Sequence, residues 1–236
     1  MKKLLVAAAF AVLAFAQGAN AQTNLQTFYD FGKDRQYVTT TFEMFKSDGW
    51  GNTFFFIDHY YGKEMTAGSA INGSYFEVER AINFWGDSAL KDLSLHVEYD
   101  GSTWGAAIWC FGLNYFLHSD DYKNTFTAYL MYDLHRGVGA ADIPIKFSGV
   151  WGCTDIFGLD GMTFKGFIDV WGNNSVWGLN DVTKFSVLAE PQLWYRIGDA
   201  FNCPNFNIGT EVELSYNFAG HKGFMCNPCL GIKYEF

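Results

Sequence analysis

Past residue 21 the chain has no apolar run approaching the ~18–20 residues that a membrane-spanning helix needs. Any crossing of a bilayer beyond that point has to use strands. Basic residues are also scarce, with 16 Lys and Arg against 25 Asp and Glu and a formal net charge of −9. Nucleic-acid binding wants a basic face to neutralise phosphates, so that partner class is excluded. No G-x-S-x-G nucleophile motif accompanies the histidines His59, His96, His118, His135 and His221, so no catalytic residue is expected.

The N-terminus begins with basic Met1-Lys2-Lys3, continues through apolar Leu4 to Ala16 and reaches the small-x-small site Ala19-Asn20-Ala21. That is a secretory signal pattern over residues 1–21, too short and wrongly flanked for a spanning helix. Residues 22–236 are then the mature domain. Its five cysteines, an odd number, leave at least one unpaired in an exported chain. Cys226-Asn-Pro-Cys229 has C-x-x-C spacing but no second pair, so it reads as small strand residues, and neither metal nor cofactor is expected. Cys153 and Cys203 fall in two turns on one side, which leaves room for a disulfide.

Aromatics are abundant at 19%, with 24 Phe, 13 Tyr and 8 Trp. The chain closes on Leu230-Gly-Ile232-Lys-Tyr234-Glu-Phe236, where apolar residues alternate with Gly231, Lys233 and Glu235. This resembles the C-terminal strand of bacterial outer-membrane barrels, which faces lipid and is read by the barrel assembly machinery. A secreted soluble sandwich or barrel is the bland rival.

Period-two alternation recurs throughout the mature chain, as strands require. Phe185, Val187, Ala189, Leu193 and Tyr195 share one face, with Lys184, Ser186, Glu190, Gln192 and Arg196 on the other. Twelve such segments fall near 24–32, 36–46, 52–61, 73–84, 91–99, 103–117, 124–135, 142–152, 162–171, 182–197, 205–218 and 224–236. The expected fold is all-β, a single closed antiparallel transmembrane barrel of about twelve strands in the bacterial outer membrane. Both termini would lie in the periplasm, with loops near 62–72 and 172–181 extracellular. Pro144, Pro191 and Pro228 strain this reading, since each removes a ladder donor.

Twelve strands should leave a narrow passage. The polar phase of strands two to five supplies Glu43, Asp58, Glu77, Glu79, His96 and Glu98 to it. Strands eight to ten supply Lys146, Lys165, Lys184 and Arg196, with Asp169 and Glu190 among them. Acids and bases would then occupy opposite walls with few direct contacts, favouring dipolar neutral solutes. Phe45, Phe54, Phe56, Tyr60, Phe167, Trp171 and Trp194 share the inward phase. Flat rings can stack on such side chains for roughly 1–3 kcal/mol per base.

Three stretches carry a family resemblance: Tyr37-Val-Thr-Thr-Thr-Phe-Glu43-Met-Phe45, Gly51-Asn-Thr-Phe54-Phe-Phe56-Ile-Asp58 and Tyr75-Phe-Glu77-Val-Glu79-Arg80. Together they resemble the nucleoside-specific channel-forming outer-membrane proteins, the Tsx family, in a divergent Bacteroidetes-type branch. The resemblance implies a monomeric twelve-stranded barrel that passes nucleosides through a lumen of aromatic and ionisable residues. By motif it carries over Glu43, Glu77 and Glu79, while Arg80 stands where that family has a proline. The alternatives are a structural or adhesive barrel, for which the loops are short, and a lipid-hydrolysing barrel, which needs an oriented Ser–His pair at lipid level.

Overall fold

The computed structural model describes residues 21–33, 35–62, 71–86, 88–105, 107–135 and 140–236. The signal segment expected over 1–21 lies outside them apart from Ala21, as do parts of the connections at 62–72 and 136–141.

The strand segments in order are β1 (Gln22–Asp30), β2 (Val38–Asp48), β3 (Gly51–Tyr61), β4 (Gly73–Ile82), β5 (Leu93–Ser102), β6 (Ala107–His118) and β7 (Asn124–Asp133). They continue as β8 (Ile145–Thr154), β9 (Met162–Gly178), β10 (Asp181–Ala189), β11 (Gln192–Arg196), β12 (Phe206–Phe218) and β13 (His221–Glu235). Successive segments pair antiparallel around the ring, and β13 returns to β1 from Asn24↔Glu235 to Asp30↔Cys229. Segments β10 and β11 each pair with β9 and β12, so together they are one barrel strand. The closed antiparallel barrel therefore has twelve strands.

Burial is the inverse of a soluble protein's. On β6, Trp109, Phe111, Leu113, Tyr115 and Leu117 are all exposed, while Cys110 and Asn114 between them are buried. Elsewhere the buried residues are mostly polar or charged, including Gln26, Asp30, His96, Glu98, Asp100 and Lys146. Large apolar side chains facing outward over strands of nine residues or more identify lipid as the exterior solvent. A closed barrel satisfies its backbone without water, which is what allows strands to cross a bilayer. The soluble rival is set aside, and the chain is an outer-membrane barrel with both termini at one end.

The prolines are absorbed in three ways. Pro144 precedes β8 and accepts a hydrogen bond from the Asp133 amide at 2.8 Å. Pro228 pairs with Val212 inside β13, and its carbonyl accepts from the Phe31 amide at 2.9 Å, past the last registered β1 pair. A residue's N–H and C=O point to the same neighbour, so the donor missing from Pro228 falls where the β1 ladder has already ended. Pro191 interrupts the expected strand 182–197 at Glu190-Pro191, and the same register resumes beyond it. Opposite the break is Gly166, where a side chain would strike the Glu190 carbonyl.

The connection expected at 172–181 is largely strand. β9 runs on to Gly178 and turns into β10 through Leu179-Asn180, with Asn180 at φ 65°. All five cysteines are free thiols. Cys229 is buried toward the lumen and Cys226 is exposed on the outer wall, as three-residue spacing on a strand dictates, so the pair cannot converge on one ion. Cys153 and Cys203 are not linked.

At the seam, the Phe236 amide donates to the Thr23 carbonyl at 2.9 Å, and its ring meets Tyr234 edge-on at 5.2 Å. Deleting Phe236 should lower the amount of barrel that assembles without altering the lumen of what does. Quantifying the heat-modifiable band on unboiled gels checks this, and an undiminished band would count against a role for that residue in assembly.

Candidate functional site

Side chains two apart on a strand share a face, and in the lumen they bond one another. Tyr60 donates to Asp58 at 3.2 Å on β3, and Tyr75 donates to Glu77 at 2.5 Å on β4. Thr41 of β2 donates to the other Asp58 oxygen at 2.5 Å. The rings of Phe54 and Phe56 lie 6.0 Å apart on the same face, and Phe56 meets Tyr75 at 5.9 Å. Tyr75 apart, these residues form one wall of a cavity of about 240 Å³ inside the barrel. Phe167, Asp169 and Lys165 of β9 form the facing wall, with Glu190 and Gln192 at the strand break and Glu211 and Glu213 on β12.

The cavity lining holds ten carboxylates and three bases, Arg35, Lys146 and Lys165. Each base is engaged. Lys165 reaches across the lumen to Glu43 of β2 at 3.1 Å, where Asn24 also donates at 2.8 Å. Lys146 contacts Glu98 at 2.6 Å and Asp169 at 3.1 Å. Arg35, from the connection after β1, forms a two-pronged bond to Glu213, both arms at 2.7 Å, and contacts Asp30 at 3.1 Å. Among the described residues, Asp58, Glu77, Glu190 and Glu211 have no Lys or Arg in ion-pair range, and Glu79 has only His96 at 3.7 Å. The lumen is therefore acidic in excess.

The family described as a domain of unknown function, DUF5020, matches residues 21–236. The chain belongs to that family. Among solved structures the DUF5020 chain is similar to the KdgM porin, at 10% identity over 91% of this chain and 99% of that one, with a TM-score of 0.52. It is likewise similar to the NanC porin, at 11% identity over 91% and 100% of the two chains, with a TM-score of 0.57. At such identities the likeness speaks for the fold, and neither description names a nucleoside. No curated protein matches the chain.

Of the residues picked from the DUF5020 sequence, Glu43, Phe54, Phe56, Asp58, Glu77, Glu79, Lys146 and Lys165 line the cavity. Three picks are corrected by position. Lys184 stands at the rim opposite the termini, paired with Asp142 at 2.6 Å, and both side chains are mostly exposed. That contact and the Asn174 amide hold the Asp142 carboxyl below the ordinary carboxylate range. Arg196 stands at the other end, bonded to Asp160 at 2.9 Å and Asp199 at 3.1 Å. Trp194 points inward but is buried against the wall: it lies over Gly209, meets Phe28 at 5.5 Å and carries Lys233 over its ring at 5.0 Å. Gly209 leaves a hole on the inner face, and the indole fills it.

The expectation of separated acidic and basic walls is overturned as well. Lys146 and Lys165 are long enough to reach carboxylates on other strands, so direct ion pairs replace a water-filled gap. Glu211 and Glu213 share the inward phase of β12, opposite Ile208 and Val212, but nothing local in the sequence marks them as part of the site. Arg35 had no signal at all, because it lies in a turn without periodicity.

One contact meets part of what a lipid hydrolase requires. His59 Nδ1 is 2.8 Å from Ser74 Oγ on the outward faces of β3 and β4. Among the described residues no third polar group holds the other ring nitrogen, so the orienting member of a hydrolytic triad is missing.

Proposed function

We propose that this barrel is a passive outer-membrane channel for small ring-bearing polar solutes, nucleosides foremost. The observation that carries the reading is the β3–β4 wall, where Phe54, Phe56 and Tyr60 stand in one register with the acceptors Asp58 and Glu77 inside the cavity. Rings of a solute can stack there while carboxylates accept hydrogen bonds from its hydroxyl and amino groups. Such a site binds weakly enough for release on the far side, as conduction demands. The resemblance of the β2, β3 and β4 sequences to the nucleoside channels supports the same solute class. On this reading residues 1–21 direct export and are removed, the barrel assembly machinery inserts the rest, and the channel works as a monomer surrounded by outer-membrane lipid.

Proteoliposome swelling tests it. Adenosine, cytidine and uridine should enter faster than sucrose, and Phe54→Ala with Phe56→Ala should erase the difference while the channel stays open. Equal rates for all these solutes would reduce the protein to a general pore. Absence of flux for every solute would remove the channel reading.

A further inference from the structure

We infer that the lumenal site selects organic ammonium ions, amines carried beside a flat ring, over neutral or anionic solutes of the same shape. This names the charge preferred among the ring-bearing solutes of the channel reading above, on which it rests: neutral nucleosides pass, and a similar ring carrying an ammonium is held more tightly. The first support is the uncompensated charge. Asp58, Glu190 and Glu211 come to the cavity from β3, the strand break and β12, and among the described residues none of them has a Lys or Arg in ion-pair range. The three lining bases are already committed, to Glu213 and Asp30, to Glu98 and Asp169, and to Glu43. A solute entering between these carboxylates meets an attraction that the low-dielectric walls screen poorly.

The second support is independent of that charge. Two polar side chains of the cavity wall are almost wholly buried and keep an oxygen without a partner, Gln26 Oε1 on β1 and Ser148 Oγ on β8. A buried acceptor without a donor costs about 1–3 kcal/mol, so a ligand that brings N–H groups is favoured at that spot. An ammonium carries up to three donors and no acceptor, which suits carboxylates and an unpaired amide oxygen alike. The third support is the aromatic lining. Phe54, Phe56 and Tyr60 on one wall and Phe167 on the other present ring faces on which a cation is held electrostatically. A neutral ring compound uses the aromatic surface and hydrogen bonds to the carboxylates but lacks the ionic attraction. Asp58, Glu190 and Glu211 are not among the sets whose ligand atoms converge within reach of one metal ion among the described residues, so these three do not form a site for a bare divalent ion.

The test uses the whole mature barrel in planar bilayers and three molecules of one shape: 2-phenylethylamine, 2-phenylethanol and phenylacetate. Under a KCl gradient the reversal potential should report preference for K⁺ over Cl⁻. The amine should interrupt single-channel current at a concentration about tenfold below that needed for the alcohol. Phenylacetate should interrupt it least. Combining Asp58→Asn, Glu190→Gln and Glu211→Gln should bring the amine curve onto that of the alcohol. Should the triple variant fail to assemble, Glu190→Gln alone should close part of the gap. Open channels blocked equally by amine and alcohol, or channels preferring Cl⁻, overturn the inference and leave the channel reading standing. A protein that opens no channel under any condition overturns both.

Discussion

Severing the bridge between Lys165 and Glu43 should roughly double the unitary conductance of the barrel, because that pair is a bar across its passage. The Lys165 ammonium on β9 meets Glu43 Oε2 on β2 at 3.1 Å, a contact between residues 122 apart in sequence. Replacing both by serine removes one positive and one negative charge, so the net charge of the lumen is unchanged. Any gain in current then reports width, and the reversal potential under a salt gradient should stay where it was. Replacing Lys165 alone by methionine also opens the bar, but it leaves Glu43 facing the passage with only Asn24 to hold it. That variant should shift the reversal potential toward cations. Wild-type conductance in the double serine variant would mean that ions pass elsewhere and that the bridge is no constriction.

The second large effect is on stability. Arg35→Ala should destabilise the barrel by about 3–5 kcal/mol, the cost of removing one partner from a buried ion group. Its guanidinium bonds both oxygens of Glu213 and one of Asp30, and the two carboxylates are nearly buried, with side-chain exposures of 10% and 4%. Without Arg35, Asp30 retains the Gly32 amide and Glu213 the Asn227 amide, neither of which carries a charge. The temperature at which the folded gel band converts to the unfolded one should fall by roughly 10 °C. Arg35→Lys should recover only part of the loss, since an ammonium cannot make the two-pronged bond. Adding Asp30→Asn and Glu213→Gln to Arg35→Ala should recover most of it. An unchanged conversion temperature in Arg35→Ala would show that these carboxylates tolerate isolation and would sink the argument.

Much of the architecture was legible because a barrel wall separates two solvents at the period of the strand itself. Trp109, Phe111 and Leu113 alternate with Cys110, Gly112 and Asn114 because lipid lies on one side and the lumen on the other. The same rule puts Phe54, Phe56 and Asp58 on one face, and it locates β2, β3 and β4 to within a few residues. It carried the strand unbroken through Pro191, since the register against both neighbours is the same on either side and the outward phase of Val187, Ala189, Leu193 and Tyr195 is undisturbed. It also took the end of β9 for a loop, because Asn173, Asn174 and Gly178 read as turn residues while the strand runs on through a register shift at Asn173-Asn174 to the Gly178↔Asp181 pair.

The sequence by itself determined which residues face inward, because that choice is made residue by residue through the pleat of each strand. It determined the strand order too, because neighbours in the chain become neighbours in the ring. Only the tertiary structure decided what each inward side chain touches. Ring closure sets the width across which Lys165 reaches Glu43. It brings Glu211 and Glu213 of β12 round to face the acids of β3 and β4. It also leaves room beside the β1–β13 seam for Arg35 to fold into the lumen. Those contacts depend on barrel diameter and strand stagger, quantities that belong to the closed sheet and to no single segment.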